Sequence, residues 1–218
     1  MKSDSPRVVL LTGFAPFGGE SINPSWQAVR TLHGKTIAGH RIVSRQLPVE
    51  FGASLKELRA AIRETKPALV LCVGQAGGRA SMSLERVAIN VDDARIPDNA
   101  GARPIDTEVV AGGPAAYFTG LPIKTMLAAL HEAGIPAEVS QTAGTYVCNH
   151  VFYGLMHALR HRKVRGGFVH IPYSPEQAAH HPGAPGLPVE TVTHGLRIAL
   201  RAALETSVDR KLAAGAEH

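Results

Sequence analysis

Short apolar runs alternate along this chain with segments whose apolar residues recur at helical spacing. The predicted strands cover Arg7–Thr12, Arg41–Leu47, Ala68–Val73, Ser83–Asn90, Ala137–Ser140 and Gly167–Ile171. Helices are predicted between and after them, from Asn23 to Gly34, around Leu55–Ile62, from Pro122 to Gly134, around Phe152–Leu159 and around Val189–Ala203. This alternation is typical of an α/β fold, in which helices cover both faces of a twisted, mainly parallel sheet.

The chain is long enough for one sizeable core, and nothing in it marks a domain boundary. It has 218 residues without a linker or a shift in composition, so we predict a single domain over 1–218 with a frayed tail from about residue 210. The segment 91–121 is rich in turn residues and has no clear element of its own. Long connections of this kind are more often functional, or contain small elements, than structureless.

Charge, hydropathy and cysteine usage exclude several classes of protein. The net charge of +5 is spread along the chain and aromatic residues make up only 5%, which argues against a nucleic-acid partner. The apolar runs are far shorter than the ~18 residues of a membrane span, and no secretory core is present. Two cysteines cannot form a disulfide framework. The pairs His180-His181 and His157/His161 could suggest metal ligands, but no carboxylate has ligand spacing with both. We therefore expect a cytoplasmic protein without a bound metal.

Unusual residues cluster where the predicted strands end, which is where open α/β sheets carry their sites. Cys148 follows a Gly-rich stretch at the start of a predicted helix, with Asn149 as a plausible N-cap. Free N–H groups and the positive end of the helix dipole are expected to lower the pKa of this thiol and to favour a nucleophilic thiolate. The alternative is that Cys148 is a small buried side chain, as we expect for Cys72 inside its apolar strand.

His170 and Glu85 are candidate partners of such a nucleophile. His170 closes an apolar strand, where it is either a base or a hydrogen-bonded core histidine. Glu85 lies on an otherwise apolar side of the predicted strand Ser83–Asn90, so it needs a partner if it is buried. That partner is either an imidazole that the carboxylate orients or an arginine, Arg79 or Arg86.

Two Gly-rich loops and a pair of phenylalanines complete the set of candidates. Neither Gly18-Gly19 nor the loop Gly74–Gly78 matches a dinucleotide-binding or phosphate-binding fingerprint. Phe14 and Phe17 stand three residues apart in a predicted turn. They either fill the core or hold a small flat ring between two aromatic faces.

Four long stretches carry a family resemblance: GFAPFGGESINPSW, GQAGGRASMSLERVAINVDDARIPDN, SQTAGTYVCNHVFYG and GGFVHIPYSPEQ. In this order, from about Val8 to Leu204, the chain resembles the pyroglutamyl-peptidase I family, also called pyrrolidone-carboxylate peptidases. The resemblance implies a mixed α/β/α sandwich and a cysteine exopeptidase that removes an N-terminal pyroglutamate from peptides. It also implies a cytosolic homotetramer that needs no metal or organic cofactor.

The resemblance assigns roles to individual residues. It implies Cys148 as the nucleophile, His170 as the base, Glu85 as the acid that holds the imidazole, and Arg95 as support for the catalytic centre. The pocket residues that it implies are Phe14, Phe17, Asn23, Gln75, Tyr146 and Val147. Two positions depart from the family pattern, because Ala15 stands where many relatives have Asp and Tyr146 adds a hydroxyl where Phe is frequent.

Two other functions are compatible with an α/β frame of this kind. One is a phosphorylase-like protein that binds a small anion through Arg79, Arg95 and the glycine turns, with Cys148 incidental. The other is an inactive protein that keeps the fold for interactions. The presence of Cys148, His170 and Glu85 together favours the peptidase.

Overall fold

The computed structural model describes residues 7–216. Its strands are β1 (Val8–Phe14), β2 (Thr36–Ile37), β3 (His40–Leu47), β4 (Leu69–Gln75), β5 (Met82–Glu85), β6 (Val87–Ile89), β7 (Ala116–Phe118), β8 (Ala137–Ser140) and β9 (Arg165–Ile171). Its helices are α1 (Pro24–Thr31), α2 (Ala53–Thr65), α3 (Ile123–Glu132), α4 (Val147–Leu159), α5 (Pro175–Ala178) and α6 (Val189–Glu205). The five long helices and most strands lie where the sequence pattern predicts them.

Seven strands form one sheet, in the order β2-β3-β1-β4-β9-β5-β8. The pairs β1–β3, β1–β4, β4–β9 and β5–β8 are parallel, whereas β2–β3 and β5–β9 are antiparallel. The predicted mixed, mainly parallel sheet is therefore confirmed. Because β1, β4 and β9 run in the same direction, their carboxyl ends lie at one edge of the sheet.

Helices cover both faces of this sheet, and each face has its own apolar layer. One layer joins the sheet to α1, α3 and α6. The other joins it to α2 and α4, with Phe152, Phe168 and Cys72 fully or almost fully buried between them. Burial of large side chains on both faces stabilises the sandwich by about 1.5–3 kcal/mol for each such side chain.

The helix boundaries have local physical causes. Asn23 caps α1, because its side-chain oxygen accepts a hydrogen bond from the N–H of Ser25 at 3.0 Å. Helix α2 ends at Lys66, which adopts a left-handed φ of 45°, and Pro67 prevents continuation. Helix α3 has no cap of its own and receives one from the tail, where Asp209 accepts the N–H of Thr125 at 2.8 Å. The tail is thus anchored at its beginning.

The predicted strand Ser83–Asn90 is wrong in one respect, because the chain forms two strands there and they belong to different sheets. The break falls at Arg86, whose N–H donates to Ser140 on β8 while its carbonyl accepts from Thr119 beside β7. The change of hydrogen-bonding partner turns the chain out of the main sheet. Glu85 therefore stays in the main sheet, and the apolar residues that follow it pair with β7 instead.

The turn-rich segment 91–121 contains the short strand β7 and folds back on itself. A bridge between Asp92 and Thr107 closes its first part, and Ala94 donates to the carbonyl of Pro104 at 2.9 Å. Ile96 and Ile105 on this ribbon are exposed. Among residues 7–216, none of the helices combines the length and the apolar character that a bilayer crossing requires.

Candidate active site

The sheet edge formed by β1, β4 and β9 is where the predicted site residues meet. Phe14 ends β1, Gln75 ends β4, and His170 is the penultimate residue of β9. Glu85 ends β5, the antiparallel neighbour of β9. Helix α4 begins above this edge with Val147 and Cys148, so residues far apart in sequence converge at one place.

Cys148 is the second residue of α4, and its thiol lies directly over β4. A Cβ atom added to Gly74 would approach the Sγ of Cys148 to 2.9 Å. Gly74 pairs in parallel register with His170 on the neighbouring strand. Since adjacent strands are about 4.8 Å apart, the thiol lies over the same small area of the sheet as the imidazole. Glycine at position 74 is what leaves room for the sulfur.

The predicted capping role of Asn149 is wrong. Tyr146 is the N-cap residue of α4, and no side chain caps the helix. The Asn149 side chain instead accepts the N–H of Ile89 at 3.0 Å and donates to the carbonyl oxygens of Ile89 and Val91, both at 2.9 Å. It ties α4 to β6 and leaves the N–H groups of the first helical turn without a side-chain acceptor.

His170 and Glu85 form a buried hydrogen bond. The Nδ1 atom of His170 lies 2.8 Å from Oε1 of Glu85, and the two side chains are 4% and 0% exposed. Because the carboxylate accepts, Nδ1 carries the proton and Nε2 of the neutral ring is left as a proton acceptor. The sequence left open an imidazole or an arginine as the partner of Glu85, and the structure contains both.

Arg79 is the arginine that contacts Glu85. Its Nη1 donates to the same carboxylate oxygen, Oε1, at 2.6 Å, and its Nη2 donates to the carbonyl of Thr142 at 2.9 Å. The second carboxylate oxygen, Oε2, is buried and has no hydrogen-bond partner among residues 7–216. Arg86 turns away from Glu85 and donates to Gln141 at 2.9 Å.

The proton affinities of the thiol and the imidazole are both governed by burial. Burial raises the pKa of the Cys148 thiol to about 12, the negative charge of Glu85 adds to this shift, and Arg79 opposes it. Burial also lowers the pKa of His170, against the opposite effect of Glu85. The expectation of a lowered thiol pKa is thus wrong. With these shifts, both the thiol and the imidazole are neutral in the free protein at neutral pH.

A narrow recess opens beside the thiol. It contains about 230 Å³ of empty space, of which only a small part is wide enough for a water molecule. The recess is lined by Phe14, Phe17, Asn23, Val49, Gln75, Tyr146, Val147 and Cys148. The structure thus brings all six predicted pocket residues together around the sulfur. It adds Val49, whose only sequence signal is that it follows the end of a predicted strand.

Aromatic rings form one wall of the recess. The ring of Tyr146 lies 6.3 Å from that of Phe17 and 5.5 Å from that of Phe51. Its hydroxyl donates to the carbonyl of Pro97 at 3.0 Å. The extra hydroxyl at position 146 is therefore directed at the 91–121 segment. Phe14 is almost fully buried and its ring lies 6.3 Å from that of Phe168.

The polar side chains of the recess are held by hydrogen bonds of their own. Asn23 accepts from Ser25 and donates to the carbonyl of Ala15 at 3.0 Å. The backbone carbonyl of Ala15 thus helps to hold the Asn23 side chain in place. The Oε1 of Gln75 accepts from Gln177 at 3.2 Å, which orients its Nε2.

Arg95 is the one predicted site residue for which the structure shows no contact. Its side chain is exposed, and within the described part of the chain it forms no hydrogen bond or ion pair. Its support of the catalytic centre stays a prediction. Sequence reasoning named Arg79 as a possible partner of Glu85 and as an anion ligand in the alternative function, but left it out of the peptidase site, although its position six residues before Glu85 was the available signal.

Two further observations bear on other kinds of site. A wider groove lies between α3 and α6, and its lining includes Thr125, His194, Arg197, Arg201 and Glu205 but neither of the two cysteines. Within residues 7–216, no three His, Cys, Asp or Glu side chains converge as metal ligands would. The chemistry that the described residues offer is therefore concentrated at Cys148, His170 and Glu85.

Comparison with known proteins agrees with this geometry. A family model described as pyroglutamyl peptidase matches residues 7–206. The pyrrolidone-carboxylate peptidase of Erwinia tasmaniensis is 62% identical over 210 residues, which cover 96% of this chain and 99% of that protein. That of Cupriavidus necator is 61% identical over 215 residues, which cover 97% of this chain and all of its own.

Solved structures agree in the same way. Pyroglutamyl peptidase I from Bacillus amyloliquefaciens superposes with a TM-score of 0.93 at 50% identity, covering 96% of this chain and 100% of that one. A mutant pyrrolidone carboxyl peptidase from Pyrococcus furiosus superposes with a TM-score of 0.88 at 42% identity, covering 90% of this chain and 98% of that one. Because the match extends over nearly all of the sequence and includes the sheet edge that carries the thiol, this chain belongs to the pyroglutamyl peptidase family.

Proposed function

We propose that this chain hydrolyses the amide bond that follows an N-terminal pyroglutamyl residue of a peptide, with Cys148 as nucleophile, His170 as base and Glu85 as the acid that orients the imidazole. The observation that carries the proposal is the position of the Cys148 thiol, which borders an aromatic recess and lies over Gly74 of β4, the residue that pairs with His170 on the neighbouring strand. The anion-binding alternative has no support, because Arg79 is already engaged by Glu85 and Thr142.

The reaction begins with proton transfer from the thiol. As Sγ of Cys148 attacks the carbonyl carbon of the pyroglutamyl residue, Nε2 of His170 takes the thiol proton, and Glu85 stabilises the resulting imidazolium through Nδ1. The tetrahedral oxyanion is met by N–H groups of the first turn of α4, which no side chain caps. We assign Arg95 a supporting role at this centre, since its exposed side chain is engaged in no hydrogen bond or ion pair within residues 7–216.

The acyl-enzyme then forms and breaks down. His170 gives its proton to the amide nitrogen, the C–N bond breaks, and the shortened peptide leaves with a free amine. A thioester joins Sγ to the pyroglutamyl carbonyl. Water, deprotonated by His170, attacks this carbon, the C–S bond breaks, and the thiol regains its proton. The products are pyroglutamic acid and the shortened peptide, and no step needs a cofactor.

The recess explains why a lactam is selected. Pyroglutamate has a flat, neutral ring where other N-terminal residues carry an ammonium group. Because only a small part of the recess is wide enough for a water molecule in the free protein, its lining must move apart to admit the ring. Burial of the ring among Phe14, Phe17 and Tyr146 then contributes about 1–3 kcal/mol. The oriented Nε2 of Gln75 is placed to donate to the lactam carbonyl. An ammonium group would lose its hydration in this apolar recess, so ordinary N-termini bind poorly.

We also propose that the protein works in the cytoplasm as a homotetramer. Two free cysteines, one of them the proposed nucleophile, are compatible with a reducing compartment. The tetramer rests on the family resemblance alone. Light scattering coupled to size-exclusion chromatography measures the assembly directly, and a monomeric mass would contradict it.

The decisive experiment follows release of aminocoumarin from a pyroglutamyl-aminocoumarin substrate. We expect turnover by the natural chain and its loss in Cys148→Ala and in His170→Ala. Cys72→Ala is the matched control, because Cys72 is a fully buried residue of β4 and lies outside the recess. Retained turnover in Cys148→Ala would refute the assigned nucleophile, and release of aminocoumarin from a prolyl or alanyl substrate at the same rate would refute the pocket.

A further inference from the structure

Arg79 and His170 contact the same carboxylate oxygen. Nη1 of Arg79 and Nδ1 of His170 lie 2.6 and 2.8 Å from Oε1 of Glu85, whereas Oε2 has no partner within the described chain. Glu85 and His170 are buried, and the Arg79 side chain is 23% exposed. A mechanism that uses Cys148, His170 and Glu85 alone gives this arginine no function.

The charges at this edge fix the proton affinity of the imidazole. Glu85 is the only carboxylate that hydrogen-bonds His170 within residues 7–216, and its negative charge favours imidazolium. The Arg79 guanidinium cancels that charge, so that Arg79, Glu85 and a neutral His170 sum to zero. Cys148 from α4 is a further ionisable group at this place, since the charges of both Glu85 and Arg79 act on its thiol. On β8, Glu138 is engaged by Ser83 at 2.8 Å.

We propose that Arg79 is a positioning residue that keeps His170 neutral by neutralising Glu85, and that it thereby sets the lower end of the pH range in which His170 accepts the thiol proton. The inference rests on the proposed function and deepens it. Imidazolium cannot take a proton from Cys148, so the protonation of His170 forms the acid limb of the pH–rate profile. Burial and Arg79 both lower the pKa of His170, and Arg79 also lowers that of Cys148.

Arg79 also has a structural role, because its second hydrogen bond holds a neighbouring loop. Nη2 donates to the carbonyl of Thr142, in the loop that leads from β8 to α4. The guanidinium therefore links Glu85 to the segment that places Cys148. A lysine at this position keeps the positive charge but cannot contact both Glu85 and Thr142 in the same planar geometry. Arg79→Lys therefore separates the electrostatic contribution from the structural one.

The test compares pH profiles of kcat/KM between about pH 5 and pH 9 for three variants. In Arg79→Gln, loss of the neutralising charge moves the acid limb to higher pH by about one unit, so activity on the limb falls about tenfold. In Arg79→Lys, the limb stays at its natural position even if kcat falls. Arg86→Gln is the matched control, because it removes a neighbouring arginine that contacts Gln141 and not Glu85.

An acid limb in Arg79→Gln that coincides with that of the natural chain overturns the proposal, as does an equal displacement in Arg86→Gln. If circular dichroism shows that Arg79→Gln does not fold, Arg79→Lys still tests the proposal. An acid limb displaced by about one pH unit in Arg79→Lys, which keeps the positive charge, excludes the electrostatic role.

The rate at which iodoacetamide alkylates Cys148 provides a readout that does not depend on peptidase activity. Loss of the Arg79 charge slows alkylation about threefold or more at any one pH, whereas Arg86→Gln leaves the rate unchanged. If the natural chain has no peptidase activity, the proposed function is refuted. The comparison of alkylation rates between the natural chain and Arg79→Gln still tests the role of Arg79 in that case. Equal alkylation rates in Arg79→Gln and the natural chain contradict the effect on the thiol.

Discussion

Asp92 and His150 form a hydrogen bond of 2.7 Å that is buried on both sides. The other ring nitrogen, Nε2 of His150, accepts the N–H of Gly52 at 2.9 Å. The ring also meets Phe51 edge-on, with centroids 5.3 Å apart. One imidazole thus joins α4, the start of α2 and the 91–121 segment just behind the aromatic wall of the recess.

Removal of this imidazole is expected to destabilise the fold. His150→Ala leaves the buried Asp92 carboxylate and the Gly52 N–H without partners, so the free energy of unfolding falls by about 3 kcal/mol. Denaturant titration measures the loss. His157→Ala, on the same helix but half-buried and bonded to Tyr117 at 2.9 Å, is the control and costs less than about 1 kcal/mol. Equal losses would show that His150 has no special role in joining the three segments.

The reactivity of Cys148 is expected to rise steeply with pH. Because burial raises the pKa of its thiol to about 12, the thiolate fraction grows about tenfold per pH unit throughout the neutral range. The rate of alkylation by iodoacetamide, corrected with Cys148→Ala, should therefore still be rising above about pH 9. A plateau below that pH would instead indicate a thiolate–imidazolium pair in the free protein.

Peptidase activity is expected to extend to mildly acidic pH. The pKa of His170 is lowered by burial, so the ring stays neutral, and able to accept the thiol proton, below the ordinary histidine value of about 6.5. The acid limb of kcat/KM should lie below that value. Glu85→Gln removes the charge that favours imidazolium and should move the limb further down while lowering kcat. A limb well above pH 7 in the natural chain would contradict the neutral imidazole.

Gly74 is expected to tolerate no side chain without loss of activity. A Cβ atom at this position would lie 2.9 Å from Sγ of Cys148 and 2.8 Å from Cζ of Phe168, so Gly74→Ala displaces the thiol and lowers kcat/KM about tenfold or more. Gly167→Ala is the control, because its Cβ would meet Leu121 and Thr119 instead. It should lose stability but keep its activity per folded molecule. Full activity in Gly74→Ala would show that the thiol does not depend on this gap.

The Tyr146 hydroxyl is expected to act through the 91–121 segment. Tyr146→Phe loses the hydrogen bond to Pro97 and should raise KM about threefold, with about 1 kcal/mol less stability. Tyr146→Ala also loses the contacts with Phe17 and Phe51 and should raise KM more than tenfold. A fall in kcat as large in the Phe variant as in the Ala variant would mean that the hydroxyl meets the reacting groups.

Local patterning determined the elements and their class. The apolar run that became β4 and the Asn-Pro start of α1 depend only on neighbouring residues, so the sequence predicts them well. The motifs around Cys148, His170 and Glu85 also identified the family, since each keeps its residue types in a fixed order along the chain.

Tertiary structure alone decided what each of these groups does electrostatically. The strand break after Glu85 depends on hydrogen bonds to Ser140 and Thr119, which lie more than thirty residues away in sequence. Burial is the largest cause of the raised pKa of Cys148, and it depends on residues that only the fold brings together around the thiol. The placement of Arg79 on Glu85 likewise depends on how the loop that connects β4 to β5 folds back on β5. Burial and charge proximity are properties of three-dimensional distance, and the order of residues along a chain does not encode them locally.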